Sequence, residues 1–254
     1  MKRLHIIGSS IQLSHNEKEF NKVTKVRSGF STKERFEQTL YTIFSIWSTF
    51  PNDDIWIIDS SLEDIDHLFK EFQFVTSKVK RFYLKDIDLP IAITVNTHDN
   101  KSYCESLMLK TFLKAYEKEI QQYDFIIKIS GRYFIDNTFE LDNLTLENKN
   151  KLFIKNTTVF ENDNKLGWSW NNLRFKDQPK WRLYSVPTVL YAFGSSAFND
   201  IIKLLNAVMG ETQNTHIDGE YLWKYLINDI NIPIIEVPWQ INGWCGVNKH
   251  VVKY

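Results

Sequence analysis

DFIIKISGRYFID, residues 124–136, is a buried-strand pattern interrupted by Lys128, Ser130, Gly131 and Arg132. Phe125, Ile126, Ile127 and Ile129 before the glycine, and Tyr133, Phe134 and Ile135 after it, are the β-branched and aromatic residues that pack well on a pleated surface. If the strand stays extended through the glycine, Lys128, Ser130 and Arg132 alternate onto one face. Two cations and a hydroxyl at the end of a core strand suit a phosphate, lysine acting as a point charge and arginine as a planar fork. The competing reading is an edge or terminal strand whose cations face solvent or pair with nearby carboxylates. Gly131 is also a place to bulge, and a bulge would turn Arg132 away from the face that carries Lys128.

Working outward, strands and helices alternate. Arg3 to Gly8 is expected as a short buried strand ending in the turn residues Gly8, Ser9 and Ser10. Ser31 to Thr49 carries a helical stripe of Phe36, Leu40, Ile43, Phe44 and Trp47, with Ser31 and Glu34 spaced as a capping box. Pro51 and Asn52 stop that helix, and DIWIID (Asp54 to Asp59) follows as a buried strand with Asp59-Ser60-Ser61 at its end. Leu62 to Phe72 predicts a helix, Val79 to Leu84 a strand, and Ser102 to Gln122 a long helix leading into the quoted stretch. In the second half, Lys151 to Lys155 and Pro187 to Phe193 read as strands, Ser196 to Val208 and Thr215 to Asn228 as helices, and Ile232 to Val237 as a last strand. Phe160 to Leu183, with Trp168, Trp170 and Trp181, has no clear period and is expected as a loop or flap. PWQINGWCGVNKH, residues 238–250, is rich in turn formers and also lacks a period. The pattern predicts an α/β fold: one domain over residues 1–254, a mainly parallel sheet flanked by helices, and a ligand crevice outside the strand C-termini. Residues 1–136 would form the ligand-binding half and 137–254 a less regular second half.

At 254 residues the chain can bury one sizeable core. Its 31 basic and 31 acidic side chains cancel, so no global field draws it to nucleic acid, and any anion site must be local. Cys104 and Cys245, far apart in sequence, suggest reduced thiols in a reducing compartment, with a single bridge between them as the alternative. MKRLHIIGSS meets polar residues too soon for a signal peptide or a membrane span, so a cytoplasmic protein is expected, in which the sequons at Asn143 and Asn156 would be chance matches without glycan. Aromatic side chains make up 15% of the chain, enough to stack on bases or sugars as well as to fill a core.

The motifs of the common ATPase, dinucleotide, zinc and serine-hydrolase sites are missing: there is no Gly-x4-Gly-Lys-Ser/Thr, Gly-x-Gly-x-x-Gly, His-Glu-x-x-His, Cys-x-x-Cys or Gly-x-Ser-x-Gly. His216, Asp218 and Glu220 lie within about a helical turn of one another. A capping box with Thr215 explains Asp218 without a metal, leaving Glu220 as the better proton acceptor. Asp59 either receives a nucleobase or ribose at its strand end or caps the next helix. Arg27, in the loop after the first strand, either contacts a diphosphate or is a solvated surface arginine. Lys249, His250, Trp239 and Trp244 either close over a ligand or belong to a frayed C-terminus.

Taken in order, IIGSS, the helix with Thr39 and Ile43, IWIIDSS, ESLMLKTFL and DFIIKISGRYFI resemble the nucleotide-sugar glycosyltransferases of the GT-A fold, particularly small bacterial surface-polysaccharide transferases of capsule and lipopolysaccharide synthesis. The likeness spans most of the chain. It implies a nucleoside-diphosphate sugar as donor, with Ser9, Arg27, Asp59, Lys128, Ser130 and Arg132 on the donor side. It also implies a glycan or lipid-linked glycan as acceptor, approached by Trp168, Trp170, Trp244 and His250, and leaves room for peripheral membrane association. Glu220 or Asp218 would activate the acceptor hydroxyl. In that family the strand after a long helix usually ends in an Asp-x-Asp motif holding a divalent metal such as manganese or magnesium on the diphosphate. Ser130-Gly131-Arg132 stands there instead, so the resemblance points to a metal-independent enzyme in which fixed cations carry the diphosphate charge. A sugar-1-phosphate nucleotidyltransferase would share the architecture but should open with a glycine-rich signature that IIGSSIQLS lacks. A non-catalytic carbohydrate-binding protein would keep the aromatics without bringing Lys128, Arg132 and Glu220 to one cleft.

Overall fold

A computed structural model of the chain describes residues 1–12, 30–98, 100–155, 158–161, 182–213, 219–244 and 251–253. The first half contains β1 (Arg3–Ser9), α1 (Thr32–Thr49), β2 (Asp54–Asp59), β3 (Val79–Tyr83), α2 (Leu89–Thr97), α3 (Lys101–Ala115), β4 (Phe125–Ser130) and β5 (Tyr133–Phe134). The second half adds β6 (Leu152–Lys155), β7 (Thr158–Glu161), β8 (Arg182–Ser185), β9 (Leu190–Gly194), α4 (Phe198–Thr212), α5 (Gly219–Ile230), β10 (Ile234–Val237), β11 (Asn242–Trp244) and β12 (Val251–Lys253).

The runs of Ile, Leu and Phe in β1, β2 and β4 are buried almost throughout, as strands covered on both faces must be. Among the described residues they belong to a seven-stranded sheet of order β10-β6-β9-β4-β1-β2-β3. The block β4-β1-β2-β3 is parallel, β9 runs antiparallel to both β4 and β6, and β6 pairs in parallel with β10. Every strand except β9 therefore points the same way, and the C-termini of β1, β2 and β4 emerge together. Both halves of the chain contribute strands to this sheet.

The pleat divides the core into two layers. Leu4, Ile6, Trp56 and Ile126 face α2 to α5, where they meet Leu109 and Phe112, Ile201 and Leu205, and Leu222 and Trp223. Ile7, Ile57, Ile127 and Phe153 face the other way, onto Phe36, Leu40, Ile43 and Ile46 of α1. Fully burying one such side chain is worth about 1.5–3 kcal/mol, so the two apolar layers fix the sheet between its helices. The capping box that starts α1 is present, Ser31 Oγ accepting from Glu34 N and the Glu34 carboxylate from Ser31 N. A smaller sheet, β12-β11-β5, packs beside α1, and β7 pairs with β8.

The structure departs from the expected elements in several places. Leu62 to Phe72 yields only a helical turn at Asp66–Phe69 and then a short helix, Gln73–Lys78, because Asp64 takes the Asp66 N–H at 2.7 Å in an Asx turn and delays the start. The long helix ends at Ala115, where Tyr116 leaves helical geometry at φ −116°, ψ 27°. Helix α2 had no counterpart in the expected elements, although Asp88 caps it and Pro90 sits in its first turn. Finally, β10 is not the last strand: β11 falls within PWQINGWCGVNKH and β12 just after it. Most of the expected loop at 160–183 lies outside the described residues.

Candidate active site

Chain reversal at Gly131 creates the site. Gly131 N donates to Gly8 O at 2.8 Å, and Thr39 Oγ1 of α1 donates to Gly131 O at 3.3 Å, locking the end of β4 against the end of β1. A Cβ at residue 131 would sit 3.3 Å from both Gly8 O and Thr39 Oγ1, so glycine allows this close approach. Arg132 N then closes back on Ser130 O at 2.8 Å, and the chain leaves the large sheet to enter β5.

Beyond this junction lies a cleft of about 140 Å³, floored by Gly8, Ser9, Ser10, Ser130 and Gly131. Its walls carry Arg35 from the first turns of α1, Lys101 at the start of α3, and Arg132. Among the described residues lining it, Glu105 of α3 is the one acid. No described acidic side chain pairs with Arg132. Lys101 also stands at the positive end of the α3 dipole, where another cation is disfavoured and an anion is welcome. Among the described residues that line it, three cations and one carboxylate over a floor of small polar residues suit an anionic ligand.

Lys128 does not present its charge to this cleft. Its side chain is 2% exposed, and its Nζ donates to Glu105 Oε1, to Ser130 Oγ at 2.9 Å and to Thr188 O at 2.8 Å. The alternation expected from an extended strand holds only through Ser130. The bend that should have turned Arg132 away leaves it lining the cleft, while Lys128 is drawn behind it by Glu105. Burial, and then the Glu105 charge, push the neighbouring Tyr191 phenol well above its usual range, so it stays neutral beside the pair. Glu220 lies behind the cleft as well: its Oε1 accepts the Thr188 N–H at 3.1 Å. Thr188 thus joins Lys128 to Glu220, and Ser130 and Glu105 join that buried network to the cleft. Lys128, Arg132 and Glu220 are brought into one neighbourhood, but among the described charged residues it is Arg132 and the unforeseen Arg35, Lys101 and Glu105 that line the open space.

Asp59 is 2% exposed and does not cap the next helical turn, whose N-cap is Ile65. Its two oxygens accept Ile11 N at 3.0 Å and Ser61 N at 2.7 Å, stapling the segment after β1 to the one after β2. Ser9 is buried, its Oγ 3.2 Å from Thr39 Oγ1, and forms part of the cleft floor. Trp244 N donates to Arg132 O at 3.1 Å, setting the Trp244 backbone beside that of a cleft-lining residue, while its indole packs against Tyr41 and Phe134. Trp239 is buried and donates its indole N–H to Glu140 O, a core role. Cys104 is buried at the cleft wall, its Sγ 3.5 Å from His98 O. Arg27, Trp168, Trp170, Trp181, Thr215, His216, Asp218, Cys245, Lys249 and His250 lie outside the described residues. Among those described, no group of three or more His, Cys, Asp and Glu side chains is arranged to hold a metal ion, and no helix is long and apolar enough to cross a membrane.

Neither models of known protein families nor curated proteins match the sequence. Among solved structures the chain is similar to mouse xyloside xylosyltransferase 1 (11% identity, 93% of this chain and 84% of that one, TM-score 0.46). It is similar, too, to the galactosyltransferase LgtC held with donor and acceptor sugar analogues (8% identity, 93% and 73%, TM-score 0.47). A further likeness is to a nucleoside-diphosphate-sugar pyrophosphorylase from Vibrio cholerae RC9 (13% identity, 96% of each chain, TM-score 0.45). Likenesses of this depth leave the activity to be argued from the cleft.

Proposed function

We propose that the chain is a glycosyltransferase that moves a sugar from a nucleoside-diphosphate donor to a hydroxyl of a glycan acceptor. The observation that carries the reading is the cleft at the C-terminal ends of β1 and β4, walled by Arg35, Lys101 and Arg132. Breaking the bond between sugar and diphosphate leaves negative charge on the departing diphosphate, and preorganised cations stabilise that charge as it develops. Arg132, with its fork of donors, suits the diphosphate oxygens directly; Arg35 and Lys101 add charge from the facing helices. Glu105 offers a carboxylate at the wall, gripped from behind by Lys128 and Ser130, to accept a hydrogen bond from a sugar or acceptor hydroxyl. In this reading Glu105 takes the part expected of Glu220 or Asp218; Glu220 Oε1 is engaged by Thr188, and Asp218 lies outside the described residues.

With Ser130-Gly131-Arg132 at the strand end, we further propose that no divalent metal is required, and that the enzyme acts in cytoplasmic assembly of a bacterial surface polysaccharide. The resemblance of the sequence to small transferases of that kind supports the biological setting. Incubating the protein with a panel of nucleotide sugars and acceptor glycans, in chelator and in manganese, tests the chemistry. Release of a nucleoside diphosphate in chelator is expected. Activity abolished by chelator and restored by metal contradicts metal independence. Pyrophosphate formed from a nucleoside triphosphate and a sugar 1-phosphate would instead identify a nucleotidyltransferase.

A further inference from the structure

Helix α1 has a second apolar side that the core does not use. From Gln38 to Phe50 it and its cap carry no charged residue, and while Leu40, Ile43 and Ile46 are buried, Tyr41 is 55% and Phe44 38% exposed. Tyr41 stands edge-on to Phe134 of β5 (centroids 4.8 Å, 76°) and to Trp244 of β11 (5.7 Å, 87°). Phe134 and Trp244 are themselves 5.2 Å apart.

The register of the small sheet shows that this cluster continues across its outer face. Asn242 pairs with Phe134 on one side and Lys253 on the other, and Trp244 pairs with Val251. Cross-strand partners share a face, so Phe134, Asn242, Trp244, Val251 and Lys253 lie together. Tyr133 and Gly243 point the opposite way and are buried, Tyr133 packed so closely that a Cβ at residue 243 would fall 2.2 Å from its ring. The inner face is thus committed to packing while the outer one exposes rings, with Val251 64% exposed.

We infer that this outer face, with the adjoining side of α1, is a saccharide-binding platform that receives the acceptor chain; the word acceptor rests on the transferase reading above. Sugar rings have apolar faces and hydroxyl-bearing edges. They match aromatic surfaces interleaved with polar groups, here Asn242 and the Asp136 carboxylate it approaches at 3.4 Å. The run of α1 is uncharged, and the one described cation on the sheet face, Lys253, acts on the nearby Asp136 carboxylate, which favours a neutral glycan over an anionic lipid surface. Continuity with the cleft is direct, since Trp244 N–H donates to the carbonyl of Arg132, whose residue lines the cation site.

The test uses the full chain with short malto-, cello- and chito-oligosaccharides, read by saturation-transfer NMR and calorimetry, beside a nucleoside diphosphate. At least one saccharide is expected to bind. Tyr41→Ala, a change at an exposed site, should weaken it about fivefold, the scale of one aromatic contact, while nucleotide affinity stays unchanged. Phe134→Leu provides a second variant that keeps the sheet apolar and should weaken the same saccharide. The inference is overturned, with the transferase reading intact, if the nucleotide binds and no saccharide does. It is also overturned if saccharide binding ignores both substitutions, or if Tyr41 instead governs co-sedimentation with phosphatidylcholine–phosphatidylglycerol vesicles. Saccharide binding that depends on Tyr41, without any nucleotide binding, supports the platform and removes the transferase.

Discussion

Replacing Lys128 by methionine separates the two meanings its sequence position allows. A free cation at a strand end would contribute little to stability and much to ligand affinity; the buried hub seen here does the reverse. Methionine keeps the apolar stem but removes the charge opposite Glu105 and the hydrogens given to Ser130 Oγ and Thr188 O. Breaking a fully buried ion pair from one side costs about 3–5 kcal/mol. The Glu105 side chain is 37% exposed, so water recovers part of that loss. The Thr188 carbonyl, left without its donor, adds back about 1 kcal/mol. The net expectation is a loss of about 3 kcal/mol, roughly a hundredfold in the unfolding constant. Urea denaturation followed by circular dichroism should show a lower midpoint at unchanged slope. Replacing Glu105 by leucine as well should recover part of the loss, because the two changes remove one shared interaction. A change below about 0.5 kcal/mol, typical of surface substitutions, with a large loss of nucleotide affinity would refute the buried network and return Lys128 to the cleft.

Arg132→Ala should leave stability nearly unchanged and weaken nucleoside diphosphate binding by about tenfold to a hundredfold, the value of a charge-assisted hydrogen bond; calorimetry on the variant and on Arg132→Lys, which should retain part of the affinity, checks this. Asp59→Ala orphans two backbone N–H groups and should cost about 2–4 kcal/mol, whereas Asp59→Asn keeps one acceptor and should cost less, as thermal denaturation of the pair would show. His5 is buried beside Asp53, and burial, outweighing the Asp53 hydrogen bond and charge, holds its imidazole below the ordinary 6.5. The unfolded chain therefore takes up this proton first, so the stability tied to neutral His5 is complete above pH 6.5 and is lost as pH falls from there through the lowered folded value. Burial raises the Asp53 carboxyl, but hydrogen bonds from His5 and Arg3 more than reverse this and hold it below 3.8, so its contribution is lost only in a separate, more acidic window. Urea midpoints measured across both windows should fall in two stages, and His5→Gln should remove the upper one; an unchanged upper stage in that variant would contradict the assignment.

Much of the scaffold is legible in the sequence because its signals are local. β1, β2 and β4 are continuous apolar runs, and the Ser31–Glu34 spacing marks the start of α1 correctly. The elements that escape have weak local signals. α2 is an uncharged nine-residue helix announced mainly by Asp88 and Pro90, and β11 and β12 are three residues each, too short for a period, β11 pairing with both β12 and the distant β5. The site is less legible than the fold. Arg132 is visible from its strand, but Arg35, Lys101 and Glu105 sit on helices where charged residues normally face water, and that they border the cleft follows from how α1 and α3 pack against the sheet. Lys128 misled for the same reason: its partner Glu105 is 23 positions away, and nothing local reveals the pairing.

The central claim is that Arg35, Lys101 and Arg132 together hold a diphosphate without a metal. The most direct measurement is calorimetric titration of uridine, guanosine, cytidine, adenosine and thymidine diphosphates into the chelator-treated protein, repeated on the variant in which all three cations are replaced by glutamine. One of these nucleotides should bind the parent chain in chelator, with affinity that falls as salt rises, and should not bind the variant. Binding that appears only after manganese or magnesium is added, or that survives loss of all three cations, would contradict the account.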